Sequence, residues 1–267
     1  MLCLMMNGKP PKALLMRDRR TRIADRVRQQ GAVRVDELAE QFGVSAVTIR
    51  GDLEQLEQLG VVIRDRGGAV APHPAASGLI AFDQRSALHP DAKARIGQAA
   101  ARLVSPGDTI ILDAGTTTVQ MVSHLRELRQ LTVITNALNV AFELRSMPDV
   151  RVVLLGGNVN YETFSTHGTM TEQGLEAVVV QKLFLGAQSV ELEAGVTDTS
   201  SEIARVKRAM LKAARQVILV ADSSKWQRSG FIKVAPFSAI HTIVTDTDLP
   251  AEARTAVQRA GSELILV

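Results

Sequence analysis

The stretch Gly43-Val44-Ser45-Ala46-Val47-Thr48-Ile49-Arg50-Gly51-Asp52-Leu53 reads as a turn followed by a capped, amphipathic helix. Gly43 supplies the turn and Ser45 the helix cap. Ile49, Leu53, Leu56 and Leu59 then follow at spacings of four, three and three, which puts one apolar face inward. Thr48 and Arg50 lie to either side of that face, near the helix start. Upstream, a β-branched segment, Val33 to Val35, leads to Asp36, the expected cap of a helix with Leu38, Ala39 and Phe42 on its apolar side. Further back, Ile23 and Val27 stand one turn apart in the charged stretch Arg17 to Gln30, which Gly31 ends. Downstream of Gly60, Val61 to Arg64 reads as a strand, Arg64 to Gly68 as a tight basic turn and Ala69 to Ala71 as the return strand. Three helices with such a hairpin form a winged helix-turn-helix over residues 17–71.

Charge supports a polyanionic partner for this end. Met1 to Ala71 carries twelve Lys and Arg against nine Asp and Glu, whereas the remainder carries nineteen of each. A helix-turn-helix lays the start of its later helix against base edges in the major groove. Thr48 and Arg50 are therefore the expected reading residues. Arg50 either forks to a guanine or pairs with a phosphate. Arg64 and Arg66 on the wing are placed at the DNA backbone or minor groove, and Arg34, Ser45 and Ala46 complete the expected contact set. The alternative is a three-helix packing module whose arginines are merely solvated. Aromatics make up only 3% of the chain, too few for the stacking platforms of general single-strand binders.

The Gly43–Leu53 motif, with Leu56, Gly60 and Arg64-Asp65-Arg66-Gly67-Gly68-Ala69, resembles the DNA-binding domain of DeoR-family bacterial transcriptional regulators. Gly51 departs from the family pattern, which places Arg, Asn or Lys beside the reading arginine. A glycine inside a helix costs about 1 kcal/mol relative to alanine and removes a phosphate contact.

Residues 72–90 contain Pro72, Pro74, Gly78 and Pro90 with little periodicity and read as a linker. Beyond them the pattern alternates. Strands are expected at Thr109–Leu112, Leu131–Thr135, Val150–Leu155, Lys182–Gly186, Val217–Ala221, Thr242–Thr245 and Glu263–Val267. Helices are expected at Asp91–Val104, Thr116–Leu128, Leu138–Met147, Gly168–Val180, Ser201–Ala214 and Ala251–Ala260. Such alternation predicts an α/β domain over 91–267 with a mostly parallel sheet covered on both faces. Ligands of these sheets sit beyond the carboxyl ends of the strands. What stands there is small and polar: Asp113-Ala114-Gly115-Thr116-Thr117-Thr118, Thr135-Asn136, Gly156-Gly157, Gly186 and Asp222-Ser223-Ser224-Lys225. Free amides at the start of a helix opened by Thr116 to Thr118 suit a phosphate, Lys225 adds a mobile cation, and Asp113 suits sugar hydroxyls. Taken singly, these pieces also read as a capped turn, a tight loop and a solvated lysine. Together they predict a site for a phosphorylated sugar or polyol.

These strand ends, with Glu202 and Lys207-Arg208-Ala209-Met210, also resemble the DeoR-family sensor domain, which is similar in fold to ribose-phosphate isomerase and the glucosamine-phosphate deaminases. Within the family the likeness is nearest to regulators of amino-sugar catabolism, N-acetylgalactosamine regulators among them. Relatives carry an arginine near Asn160, so binding here relies more on Lys225 and the Thr116 amides. Glu202 and Lys207 read either as solvated helical ion pairs or as groups at the sensor mouth that transmit ligand state.

A catalytic alternative, a sugar-phosphate isomerase or deaminase fused to a DNA reader, needs a general acid and base, for which Asp113, Glu202 and Asp222 are the candidates. No dinucleotide or nucleoside-triphosphate motif occurs, and five scattered histidines and the lone Cys3 give no metal-ligand spacing, so no cofactor and no metal are expected. Neither a signal peptide nor an apolar run of bilayer length is read, and residues 1–16 are expected to be a disordered extension, with Met5, Met6 and Met16 leaving a later start open. The expectation is a cytoplasmic, homo-oligomeric (dimeric or tetrameric) repressor of a carbohydrate operon, bound to double-stranded operator DNA and controlled by a phosphosugar.

Overall fold

The apolar stripes of the N-terminal sequence meet in one core, where Ile23, Val27, Val33, Leu38, Ile49, Leu53, Leu56 and Val62 are all buried. The computed structural model describes residues 16–30, 32–58, 61–65, 67–70, 82–227 and 230–267. Most of the expected extension, Gly31, Leu59, Gly60, Arg66 and residues 71–81 lie outside the described residues. The chain divides after Gly78 into two units.

The first unit runs α1 (Met16–Gln30), β1 (Ala32–Arg34), α2 (Val35–Phe42), α3 (Ala46–Gln58), β2 (Ile63–Asp65) and β3 (Gly68–Val70). Its three strands form an antiparallel sheet in the order β1-β3-β2. Gly43 adopts φ 64°, the left-handed conformation that costs glycine least, and Val44 N–H reaches back to the Ala39 carbonyl at 3.1 Å. Ser45 caps α3 as expected, its Oγ accepting from Thr48 N–H at 3.1 Å. Asp36 does not cap α2. The helix starts at Val35, after an extended Arg34 with no side-chain cap, so Asp36 and Glu37 occupy the first turn, where the helix dipole favours carboxylates. Gly68 is required by packing: a Cβ there would lie 2.1 Å from the Val33 carbonyl oxygen.

Asp52, on the inner side of α3, is 2% exposed and binds two arginines of α1. Its Oδ2 accepts from Arg19 Nε at 2.6 Å and its Oδ1 from Arg20 Nε at 2.8 Å. Two arginines counted in the basic N-terminal excess are thus committed to holding α1 against α3.

The second unit begins with α4 (Phe82–Ser86) and α5 (Pro90–Ala101), so the stretch read as linker up to residue 90 already contains structure of this unit. Its pattern was obscured because α4 is only five residues long, too short for a helical period. There follow β4 (Thr109–Leu112), a 3-10 helix (Thr118–Leu125), β5 (Leu131–Thr135), α6 (Leu138–Leu144), β6 (Val150–Leu154), β7 (Asn158–Asn160), β8 (Ser165–His167) and α7 (Thr169–Glu176). The chain continues through β9 (Val180–Gly186), β10 (Ser189–Glu191), β11 (Gly195–Asp198), α8 (Ser201–Ala213), β12 (Ala214–Val220), a second 3-10 helix (Ser223–Gln227) and β13 (Ile232–Ala235). A short 3-10 turn (Phe237–Ala239), β14 (Thr242–Thr245), α9 (Ala251–Arg259) and β15 (Glu263–Leu266) complete it.

Seven strands form one sheet in the order β15-β14-β12-β9-β4-β5-β6, every pairing parallel. All seven were legible as strands. Alternate residues feed opposite cores: Ile110 and Leu112 of β4 face one, Ile111 the other, and Phe184 is opposed in the same way to Leu183 and Leu185 of β9. The order reverses at β4. From there the chain steps outward through β5 and β6, then returns to lay β9 on the other side of β4. The crevice between the ends of β4 and β9 is therefore the topological switch point. The hairpin β7–β8 and the antiparallel sheet β10-β11-β13 stand outside the main sheet and were not anticipated.

Asp52→Ala leaves Arg19 buried without its counter-ion, and the loss expected for breaking such a pair is about 3–5 kcal/mol. Urea unfolding of the whole chain, followed by circular dichroism, should show the lower-stability transition moving to less denaturant. An unmoved midpoint would mean that this cluster does not hold α1 to α3. Gly51→Ala should shift the same transition the other way by about 1 kcal/mol, because an added Cβ meets nothing within 4 Å.

Candidate functional site

In the first unit, the residues expected to read DNA gather at the start of α3. Ser45 and Arg50 are exposed, Ala46 and Thr48 half-buried, and Thr48 Oγ1 lies 2.9 Å from Ser45 Oγ. Val47, 74% exposed among them, was not singled out; an apolar side chain there suits a thymine methyl group. Arg34 is exposed at the end of β1. Arg64 on β2 is held by α3, its amide donating to Glu57 Oε1 at 3.0 Å and its guanidinium 3.9 Å from Oε2. Arg66 lies outside the described residues. The surface is a helix start with the exposed guanidinium of Arg50, flanked by small, polar and apolar side chains.

In the second unit a cleft opens at the switch point. It is lined from β4 and its loop by Asp113, Gly115, Thr116 and Thr117, from the end of β5 by Asn136, from the end of β9 by Gly186, from α8 by Lys207 and from the second 3-10 helix by Lys225. Eight of the residues expected from the sequence thus come together around one space. Among the described residues, no hydrogen bond within the chain engages the amides of Gly115, Thr116 and Thr117, so they remain available to an anion.

Asp113 and Lys207 form the floor. Lys207 Nζ donates to Asp113 Oδ2 and, at 2.7 Å, to the Gly186 carbonyl. Asp113 also accepts from Gly186 N–H at 3.0 Å through Oδ2 and from Ala114 N–H at 2.8 Å through Oδ1. Most of the carboxylate's acceptor capacity is spent inside the protein, so its main work is structural rather than the sugar contact first expected. Lys225 is 8% exposed, not a mobile surface cation.

Other expected residues support the walls from behind. Thr118 Oγ1 donates to the Gly115 carbonyl at 3.0 Å, and Thr135 Oγ1 to the Leu112 carbonyl at 2.7 Å. Gly156 and Gly157 do not line the cleft. The Gly156 carbonyl accepts from Thr171 Oγ1 at 2.7 Å, and a Cβ on Gly157 would lie 2.3 Å from that same oxygen, so this pair forms a tight loop against α7. Glu202 does not line the cleft; it is exposed, with Oε2 3.3 Å from Nδ1 of the cleft residue His167, close but outside hydrogen-bond geometry. Asp222 also lies off the cleft, bonded to Ser224 Oγ through Oδ1.

The cleft further contains Arg85, Ser165, Thr166, His167 and Asp198, which sequence reading missed. They come from α4, β8 and β11, elements too short to announce themselves by periodicity. Three residues that line this space each carry a buried polar atom with no hydrogen-bond partner among the described residues, Asn136 Oδ1, Arg85 Nε and His167 Nδ1, although Asn136 Nδ2 donates to the Thr166 carbonyl at 2.8 Å. An orphan acceptor and an orphan cationic donor lining one cleft suit a ligand carrying both hydroxyls and an anionic group. Asp198 is 2% exposed. Burial raises its pKa above the ordinary aspartate value, against the opposing pull of Lys207 and of the Ser200 and Thr199 amides on its Oδ1. Among the described residues no cluster of His, Cys, Asp or Glu could hold a metal ion, and no helix is long and apolar enough to cross a membrane.

A helix-turn-helix unit joined to a parallel α/β unit with a cleft at its switch point defines a ligand-responsive DNA-binding regulator. Residues 19–75 match the DeoR-like helix-turn-helix domain and residues 88–247 the DeoR C-terminal sensor domain. The chain belongs to the DeoR family of transcriptional regulators. It is 37% identical over 251 residues, 94% of this chain and 93% of the other, to a protein of Escherichia coli O157:H7 assigned as transcriptional repressor of the aga operon. It is 30% identical over 228 residues, 85% of this chain and 90% of the other, to the glycerol-3-phosphate regulon repressor of Escherichia coli K12. Ribose 5-phosphate isomerase A of Methanocaldococcus jannaschii aligns at 18% identity over 51% of this chain and 54% of its own, with a TM-score of 0.38.

Because the folded pKa of Asp198 lies above its unfolded value, the neutral form is the stabilising one. That stability is complete below the ordinary aspartate range and is lost as pH rises through the raised value. Asp198→Asn keeps an Oδ1 acceptor and removes the charge. Thermal melts should therefore place the variant above the wild type at pH 7 and level with it near pH 3. A variant less stable at pH 7 would show that Asp198 is held as a favourable anion.

Proposed function

We propose that the protein is a repressor of a carbohydrate operon, of the amino-sugar class, and that a phosphorylated sugar in the cleft of the second unit releases it from operator DNA. The observation that carries this reading is the meeting of unengaged loop amides, cationic side chains and an unpartnered amide oxygen at the switch point of the sheet. Amides at Gly115 to Thr117 and a nearby lysine suit the phosphate; Asn136, Ser165 and Thr166 suit hydroxyls. The relatives named for the aga operon and the glycerol-3-phosphate regulon support this class of effector. Paired recognition helices need symmetry, so the working form is a homo-oligomer reading half-sites about one DNA turn apart or multiples of it. Phe142 and Leu154, exposed on α6 and on the edge strand β6, supply apolar surface for such an assembly.

One observation favours the rival reading, catalysis of sugar-phosphate isomerisation or deamination: Asp198 lines the cleft with a raised pKa, as a general acid requires. Against it, the floor carboxylate Asp113 is bound by Lys207 and two amides, and neither Asp222 nor Glu202 reaches the cleft. Binding without turnover is the better account.

A mobility-shift assay on the protein's own upstream DNA, with a panel of phosphorylated sugars and amino sugars, separates the two. At least one phosphosugar should release the DNA and emerge chemically unchanged, whereas conversion of that sugar would establish the enzyme. Arg50→Ala should abolish the specific shift and keep phosphosugar binding; an undiminished shift would remove Arg50 from the reading role. Raising salt from about 50 to 200 mM should weaken the wild-type complex by orders of magnitude through counterion release. An affinity insensitive to salt would contradict the phosphate contacts assigned to the basic side chains.

A further inference from the structure

Arg85 stands on α4, which begins three residues (79–81) after the boundary at Gly78, and it precedes the stretch 88–247 that matches the sensor domain. Its side chain nevertheless lines the cleft, and its Nε is buried with no hydrogen-bond partner among the described residues. Burial lowers the pKa of the guanidinium from its ordinary value, opposed by the charges of Asp198, Asp113 and Glu162. An arginine stays protonated under such conditions, and a buried cationic donor left unmade is costly.

The attachment of α4 gives this side chain a mechanical meaning. At one end, Phe82 N–H donates to the Glu162 carbonyl at 2.8 Å, and the Phe82 ring meets Phe164 edge-on at 5.5 Å. At the other end Lys93, 2% exposed, donates Nζ to the carbonyls of Arg85 and Leu88. The segment 162–164 runs directly into Ser165, Thr166 and His167, which line the cleft. A five-residue helix has almost no stability of its own, so what α4 touches decides whether it stays in place.

We propose that Arg85 donates to the anionic group of the bound effector, making α4, the element that follows the inter-unit segment, part of the sensor site. The inference rests on the reading of the cleft as a phosphosugar site. The planar fork of the guanidinium matches a phosphate, and an effector held between Arg85 and the Gly115–Thr117 amides ties α4 to the strand ends of the sheet. Ligand occupancy then changes how firmly the chain leaving the first unit is anchored, a direct route from effector to operator affinity.

The test uses the intact chain with galactosamine 6-phosphate, glucosamine 6-phosphate and glucose 6-phosphate as probes, read by Trp226 fluorescence and by hydrogen exchange of the Phe82–Ser86 amides. Wild type should bind at least one probe and slow exchange in α4. Arg85→Gln should weaken that probe at least tenfold and abolish the slowing, and Arg85→Lys, which keeps the charge without the fork, should fall between. Equal affinity in wild type and Arg85→Gln would overturn the assignment of Arg85 and leave the cleft intact. Binding of no probe by wild type would overturn the cleft reading, and this inference with it. A Gln variant with a lowered melting temperature is replaced by the Lys variant, for which undiminished affinity together with unprotected α4 amides also contradicts the proposal.

Discussion

Lys207 ties three separate elements at one point. Rooted on α8, its ammonium binds Asp113 at the end of β4 and the Gly186 carbonyl at the end of β9, and Asp113 closes the triangle by accepting from Gly186 N–H. β4 and β9 are the adjacent strands from which the chain departs in opposite directions, and their ladder ends with Asp113 N–H on the Phe184 carbonyl at 3.1 Å. The ion pair adds α8 to that junction and extends the restraint to Gly186. Its cost is the burial of two charges, which the geometry offsets by giving each of them further hydrogen bonds. The crevice that results has a fixed floor, and among the described residues the Gly115–Thr117 amides, Asn136 Oδ1 and Arg85 Nε beside it make no hydrogen bond within the chain.

The same device recurs in the first unit. Asp52 on the reading helix draws Arg19 and Arg20 of α1 inward. A count of basic residues treats every arginine as available to phosphate, and here two are spent on orienting α3. Arg34 and Arg50 remain exposed, and the orientation of α3 rests on the buried carboxylate. Gly51, which opens a gap on the exposed side of α3, lies next to this anchor and weakens the helix without disturbing its packing.

The seven sheet strands were legible as short, mainly apolar runs alternating with helical segments, although the edge strands β6 and β15 are only partly buried, and α8 has a strong two-sided pattern. The cleft residues on β4, β5 and β9 followed from the rule for strand ends. The rest was hidden for identifiable reasons. β8 and β11 are three and four residues long, α4 has five, and none repeats a period. Gly156-Gly157 looked like a ligand loop because glycine serves close backbone approach to a ligand and to a neighbouring helix alike; only the contact with Thr171 distinguishes the two. Asp113 was legible as a polar strand end, but its bond to Lys207, 94 positions away in the sequence, was not.

If the cleft is a switch, effector and operator must oppose one another through a single coupling free energy, equal in both directions. The decisive measurement is calorimetric titration of the releasing phosphosugar into the protein alone and into the protein saturated with operator duplex. The sugar should bind more weakly to the complex, by the same factor by which it weakens the DNA. Identical sugar affinity with and without operator would mean that occupancy of the cleft does not govern the grip on DNA.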